Sequence, residues 1–192
     1  EAIEGHPGVP SLSELTIVQV DAHADLRDEL NGERFSHGTV IRRALDAGVG
    51  GVIQVGVRAY SKEEADLIEQ DERVETWLAR DLFGVADGQS KWRRLLERIA
   101  RIEGSVWLTF DIDGLEGALV PSTGTPAPGG LSHWGAVELI EALFAARGCE
   151  VLGADVNEIV SDSEGSLTEF SAALTATKIV ACHILAQYPQ KG

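Results

Sequence analysis

The feature that most restricts this chain is a rhythm in which short, almost wholly apolar runs alternate with longer segments of helical spacing. Residues 15–21 (LTIVQVD), 51–57 (GVIQVGV) and 105–111 (SVWLTFD) are rich in β-branched and aromatic side chains and lack strict in–out alternation. Such runs suit strands buried on both faces, as in a parallel sheet covered by its connecting helices. Weaker strands are predicted at residues 74–79 and 150–155, and helices over residues 36–47, 90–101 and 168–187. The first helix stops at Gly48, a residue free to adopt the left-handed turn that ends a helix. Two more helices open at Ser61 and Ser132. Ser61 and Glu64 have capping-box spacing, in which each side chain serves the other's backbone N–H, whereas Gly135 takes the box position after Ser132. The predicted architecture is one α/β domain, a mainly parallel sheet with helices on both faces.

At 192 residues the chain can bury one good core and is short for two. No apolar run stands out at bilayer length, and no basic stretch followed by an apolar core opens the chain, so no membrane partner and a cytoplasmic location are expected. Cys149 and Cys182 sit among apolar residues and read as buried, reduced thiols. The balance of 31 acidic against 16 basic residues argues against a nucleic-acid partner. It would steer small cations inward, though a solvated acidic surface explains it equally well. The chain has no methionine and starts at Glu1, which reads as a piece lacking some N-terminal part.

In open parallel sheets ligands bind beyond the carboxyl ends of the strands. Asp21, Asp111 and Asp155 each fall at such an end. Asp21, His23 and Asp25 (DAHAD) follow a two-residue period, which puts all three on one face while the backbone stays extended. Asp111 and Asp113 (FDID) repeat the pattern at another strand end. So many carboxylates at one rim repel one another unless a cation sits among them. Two divalent ions, with Asp21 and Asp111 as bridges, answer this, and mixed carboxylate and imidazole donors suit manganese. A single Asp-x-His-x-Asp reads as well as caps and a turn; a second acidic cluster on a separate strand favours the metal.

DAHADL, then Ser36-His37-Gly38, TFDIDGLEGALVPSTGTPAPGG and GADVNE resemble, in order, the signatures of the ureohydrolase family, which includes agmatinase, arginase, guanidinobutyrase and formimidoylglutamase. The resemblance runs over residues 15–187 and is most specific at 110–130. It implies a three-layer αβα fold of the arginase/deacetylase type and two Mn2+ held by Asp21, His23, Asp25, Asp111 and Asp113. By the same resemblance His37, Glu158 and Asp25 are catalytic, with His37 shuttling a proton and Glu158 pairing with a substrate guanidinium; Asp155 is a supporting residue. The implied reaction hydrolyses a small cationic guanidino compound to urea and an amine. Agmatine is preferred because DLRDELNGERFSHG looks agmatinase-like, which would place the chain in polyamine biosynthesis as a homo-oligomer, a trimer or hexamer.

Two departures stand out. The family's upstream Gly-Gly-(Asp/Glu)-His-Ser motif, which supplies one more metal-binding histidine, is not found in residues 1–14, and Glu116-Gly117 replaces the usual Asp-Pro. A truncated, non-catalytic assembly subunit is therefore the alternative reading, and a metal-dependent deacetylase a third. His6, His133 and His183 match no motif and are expected to be structural or surface residues. Residues 114–130 are expected to form an ordered functional loop, stiffened by Pro121, Pro126 and Pro128 and turned at Gly124, Gly129 and Gly130.

Overall fold

A computed structural model describes residues 11–84, 86–160 and 166–187. Its sheet holds β1 (Leu15–Val20), β2 (Gly51–Val57), β3 (Val74–Leu78), β4 (Gly104–Asp111) and β5 (Cys149–Asn157). The order is β3-β2-β1-β4-β5 and every pairing is parallel. The chain starts in the middle at β1, steps outward to β3, then returns to the other side of β1 as β4. The β1–β4 boundary is thus the point where the winding reverses, and connections leave a crevice there at the carboxyl ends. The register pairs Val20 with Phe110, so Asp21, just past β1, lies beside Asp111, the last residue of β4.

Alternation along the strands divides the interior in two. Ile17 and Val52 face α1 (Val40–Asp46) and α2 (Lys62–Gln70), packing with Ile41 and Leu45. Val18, Val20, Ile53, Leu108 and Phe110 point the other way, toward Leu95 of α4 (Gly88–Ile99), Leu139 of α5 (His133–Ala145) and Ile179 of α6 (Leu167–Gln187). Each large apolar side chain buried this way contributes about 1.5–3 kcal/mol. The predicted three layers are present. Both serine caps are as read: the Ser61 and Glu64 box is complete, and Ser132 accepts from the Gly135 N–H.

Several expectations need correction. Residues 36–47 are not one helix: His37–Thr39 form a 3-10 turn before α1, because the Thr39 hydroxyl bonds back to Arg34 and Ser36 carbonyls and takes the Ser36 N–H. The strand predicted to residue 79 ends at Leu78, and α3 (Ala79–Phe83) follows, anchored by buried Leu82. β5 continues past Asp155 to Asn157, so Asp155 is not at its end.

The expectation that no apolar run reaches bilayer length also fails. By length and composition α6 is long and apolar enough to cross a membrane: within its 21 residues an 18-residue window has mean hydropathy 1.2 and is only 28% buried. Scattered Ser, Thr and His conceal this in the linear sequence. Its inward face is the less apolar one (Thr168, Ser171, Ala172, Thr175), while Phe170, Leu174 and Ile184 are exposed. Cys182 is buried, Cys149 half-buried, and both are free thiols. His183 meets the Phe144 ring edge-on and His133 lies against Trp134, while His6 falls outside the described residues.

Candidate metal centre and cleft

The rim is built by the ends of β1 and β4. Past Phe110 the chain tightens into a 3-10 turn, Ile112–Gly114, which carries Asp113 back beneath the end of β1. There Asp113 Oδ1 accepts the Ala22 N–H at 3.2 Å. Gly114 makes this approach possible, since a Cβ there would lie 2.9 Å from the Asp21 nitrogen.

The DAHAD segment does not stay extended throughout, as the two-residue period assumed. The chain bends at Ala22, and Asp25 has φ of +55°, so the backbone does not keep one face through the triplet. The triplet consequently divides between two groups, each with donor atoms within 4.8 Å of one another: Asp21, His23 and Asp113, and Asp21, Asp25 and Asp111. All five residues expected as ligands converge, and Asp21 is shared. Its Oδ1 accepts the His23 backbone N–H at 2.7 Å and its Oδ2 accepts from Gln19 Nε2 at 2.6 Å. His23 Nδ1 lies 3.4 Å from Asp21 Oδ1 and 3.2 Å from Asp113 Oδ2.

Asp155 faces Trp107 Nε1 (2.5 Å), Thr109 Oγ1 (2.7 Å) and Asn157 Nδ2 (2.5 Å), all donors. The same Asn157 amide reaches Asp111 Oδ1 at 3.2 Å. Asp155 thus holds an orienting group against Asp111 and belongs to neither acidic group.

Asp25, His37, Asp111 and Glu158 line one cleft of about 460 Å³, together with Val40, Ile41 and Trp107. His37 is exposed at the start of its 3-10 turn, and Glu158 is half-buried just beyond β5 with φ of +61°. That strained backbone is fixed by the 114–130 loop: the buried Thr123 hydroxyl donates to the Glu158 carbonyl at 2.8 Å.

Sequence reasoning missed the residue that ties this loop down. The Arg58 guanidinium donates to carbonyls of Gly56, Asp113, Leu115, Ala127 and Pro128 at 2.6–3.1 Å. A rigid fork of five donors matches such a ring of acceptors, which lysine cannot. Its position in GVIQVGVR, directly after a strand, was the available signal.

The acidic residues are electrostatically frustrated. Burial first, then the charges of Asp21 and Asp111, push Asp25 up to about 9. Burial and Asp21 push Asp111 up to about 8, and burial raises Asp21 to about 6. Asp113 and then Asp21 hold a proton on His23 and raise it to about 10. Asp113 goes the opposite way: burial opposes its ionisation, but His23, Asp21 and the Ala22 N–H outweigh that. Among the described residues its buried Oδ2 has only the His23 ring nearby, 3.2 Å from Nδ1 and outside hydrogen-bond geometry. Raised carboxyl pKa values beside a carboxylate oxygen with no well-formed hydrogen bond, at donor spacing, fit divalent cations that would displace the protons.

A pH dependence follows. A cation must displace protons held up to about 8–10, so divalent-cation affinity should tighten from about pH 6 to about pH 9, with protons released. In the metal-free chain the pKa values of Asp21, Asp25 and Asp111 are raised on folding, so their contribution to stability falls as pH rises from the ordinary carboxylate range toward the folded values. The His23 contribution is full below its ordinary value and is lost as pH climbs through about 10, the same slope. Calorimetry in buffers of different ionisation enthalpy measures the release; affinity flat across that range would contradict it.

Known proteins are similar to this chain over most of its length. The Arginase family model matches residues 7–187. The chain belongs to the Arginase family. It is 36% identical over 166 residues to N(1)-aminopropylagmatine ureohydrolase of Synechocystis sp., covering 86% of this chain and 51% of that protein. Agmatinase of Pyrococcus horikoshii is 34% identical over 168 residues, covering 88% and 55%. Among solved structures, agmatine ureohydrolase of Thermoplasma volcanium superposes with a TM-score of 0.76 at 27% identity, over 93% of this chain and 58% of that one. The chain therefore spans about half the length of the curated relatives it matches. The sheet with its covering helices is the arginase-type α/β fold expected from the motifs.

Proposed function

We propose that this chain carries the metal-binding and substrate-binding residues of a ureohydrolase that splits a small cationic guanidino compound, agmatine or its aminopropyl derivative, into urea and an amine, a polyamine-forming step. The observation that carries this reading is the cleft itself, where Asp25 and Asp111 of one acidic group share walls with His37 and Glu158. The names of the relatives support the substrate class.

Asp21, His23, Asp25, Asp111 and Asp113 would hold two divalent cations, manganese being favoured by the mixed carboxylate and imidazole donors. Bound cations supply a water acidic enough to ionise near neutral pH. Glu158 accepts paired N–H bonds from the planar guanidinium, which sets its carbon toward the acidic rim. Val40, Ile41 and Trp107 offer apolar wall to the alkyl part and exclude water from it. His37, an imidazole at the mouth, carries a proton to the departing amine nitrogen.

The test is urea release by manganese-loaded protein from agmatine, N1-aminopropylagmatine, arginine and guanidinobutyrate, with acetate release from an acetylated amine as the control for deacetylase chemistry. Urea from either of the first two, in preference to the others, is expected. No urea from any substrate, or acetate instead, contradicts the reading.

A further inference from the structure

Two glutamines interrupt the otherwise apolar strands LTIVQV and GVIQVGV, and the register makes them neighbours: Gln19 pairs with Gln54, and Gln54 with Thr76 of β3. Both glutamines are buried. Three polar side chains thus cross three adjacent strands on the sheet face that carries α1 and α2, where apolar residues would pack at lower cost.

They form one directed chain. Gln54 Nε2 lies 2.6 Å from the Ala24 carbonyl, which can only accept, so this end of the amide is the nitrogen. The same nitrogen donates to Gln19 Oε1 at 2.6 Å, and Gln54 Oε1 takes the Thr76 hydroxyl proton at 2.8 Å. With its oxygen occupied, Gln19 must turn its NH2 outward, and it donates to Asp21 Oδ2 at 2.6 Å. One backbone carbonyl therefore fixes the sense of every bond in the row. The row ends on the one carboxylate common to both acidic groups.

We propose that Gln19, aligned by Gln54 and Thr76, is a positioning residue that locks the rotation of the Asp21 carboxylate so that it serves both groups at once. This inference rests on the metal-binding reading above. Gln19 holds Oδ2 while the His23 backbone N–H holds Oδ1, and the carboxylate plane is set before any ligand arrives. Groups that orient a ligand in this way typically alter metal affinity 10–100-fold when lost.

The experiment is manganese titration by electron paramagnetic resonance of the whole chain and its variants, with metal-free melting curves to confirm folding. Gln19→Leu should weaken manganese binding by about 10–100-fold. The far end separates hydrogen bonding from packing. Thr76→Val keeps the shape and removes the hydroxyl, and should weaken binding by about threefold or more; Thr76→Ser keeps the hydroxyl and should bind as the parent does. If Gln19→Leu fails to fold, the two Thr76 variants decide. Parental affinity in Gln19→Leu and Thr76→Val, or loss in Thr76→Ser with retention in Thr76→Val, overturns the proposal and leaves the metal reading intact. A parent chain that binds no manganese overturns both.

Discussion

An Asp25→Asn variant is expected to melt higher than the parent when metal-free, and to bind manganese far worse. Asp25 is buried among Asp21 and Asp111, and its ionisation opposes folding near neutral pH. Asparagine removes that charge at nearly constant volume. It also suits the backbone, since φ of +55° is tolerated by Asn better than by most residues. A gain of roughly 2 kcal/mol would raise the midpoint by about 4–8 °C in a chain of this size. The same change removes a charged oxygen from the Asp21, Asp25 and Asp111 group. Manganese affinity should fall by more than about 100-fold, the upper end for residues that only support a ligand. Calorimetric scans and a manganese titration read the two effects separately. A variant that is less stable and binds metal normally would contradict the assignment of Asp25 to the metal.

The second large effect is expected at Glu158. Glu158→Gln should raise KM for the guanidino substrate by about 10–100-fold, the loss of a hydrogen-bonded charge worth roughly 1.5–3 kcal/mol. Manganese affinity should stay at the parental level, because Glu158 lies in neither acidic group. The backbone is held by Thr123 at the carbonyl, not at the carboxylate, so the fold of the loop should survive. Steady-state urea kinetics with a parallel metal titration check this; unchanged KM, or loss of metal together with substrate, contradicts the role given to Glu158.

Much of the fold was legible because two-sided burial leaves a plain trace. LTIVQVD, GVIQVGV and SVWLTFD are continuous β-branched and aromatic runs, and their strands lie within a residue of where they were expected. α3 left no comparable mark, since five residues are too few to show a period, and what anchors them is the burial of Ala79 and Leu82. α6 misled for the opposite reason: scattered polar residues hid the average hydropathy of an 18-residue window within it.

At the site, the convergence of candidate donors was legible because carboxylates at the carboxyl ends of parallel strands are brought to one rim by topology. Their division into two groups was not, because it depends on the bend at Ala22 and the left-handed turn at Asp25, which leave no mark in DAHAD beyond a residue type that tolerates the turn. Gln19, Gln54 and Thr76 depend on strand register and order, which no single strand encodes. Their one available signal was a glutamine at the same depth in two apolar strands. Arg58 was hidden likewise, as its partners are backbone carbonyls far along the chain.

Five side chains from two strand ends are expected to hold a pair of divalent cations with Asp21 between them. Anomalous diffraction from crystals soaked in manganese tests it most directly. Two peaks are predicted, one among Asp21, Asp25 and Asp111 and the other among Asp21, His23 and Asp113. Manganese bound elsewhere on the acidic surface, with no peak beside Asp21, would contradict it.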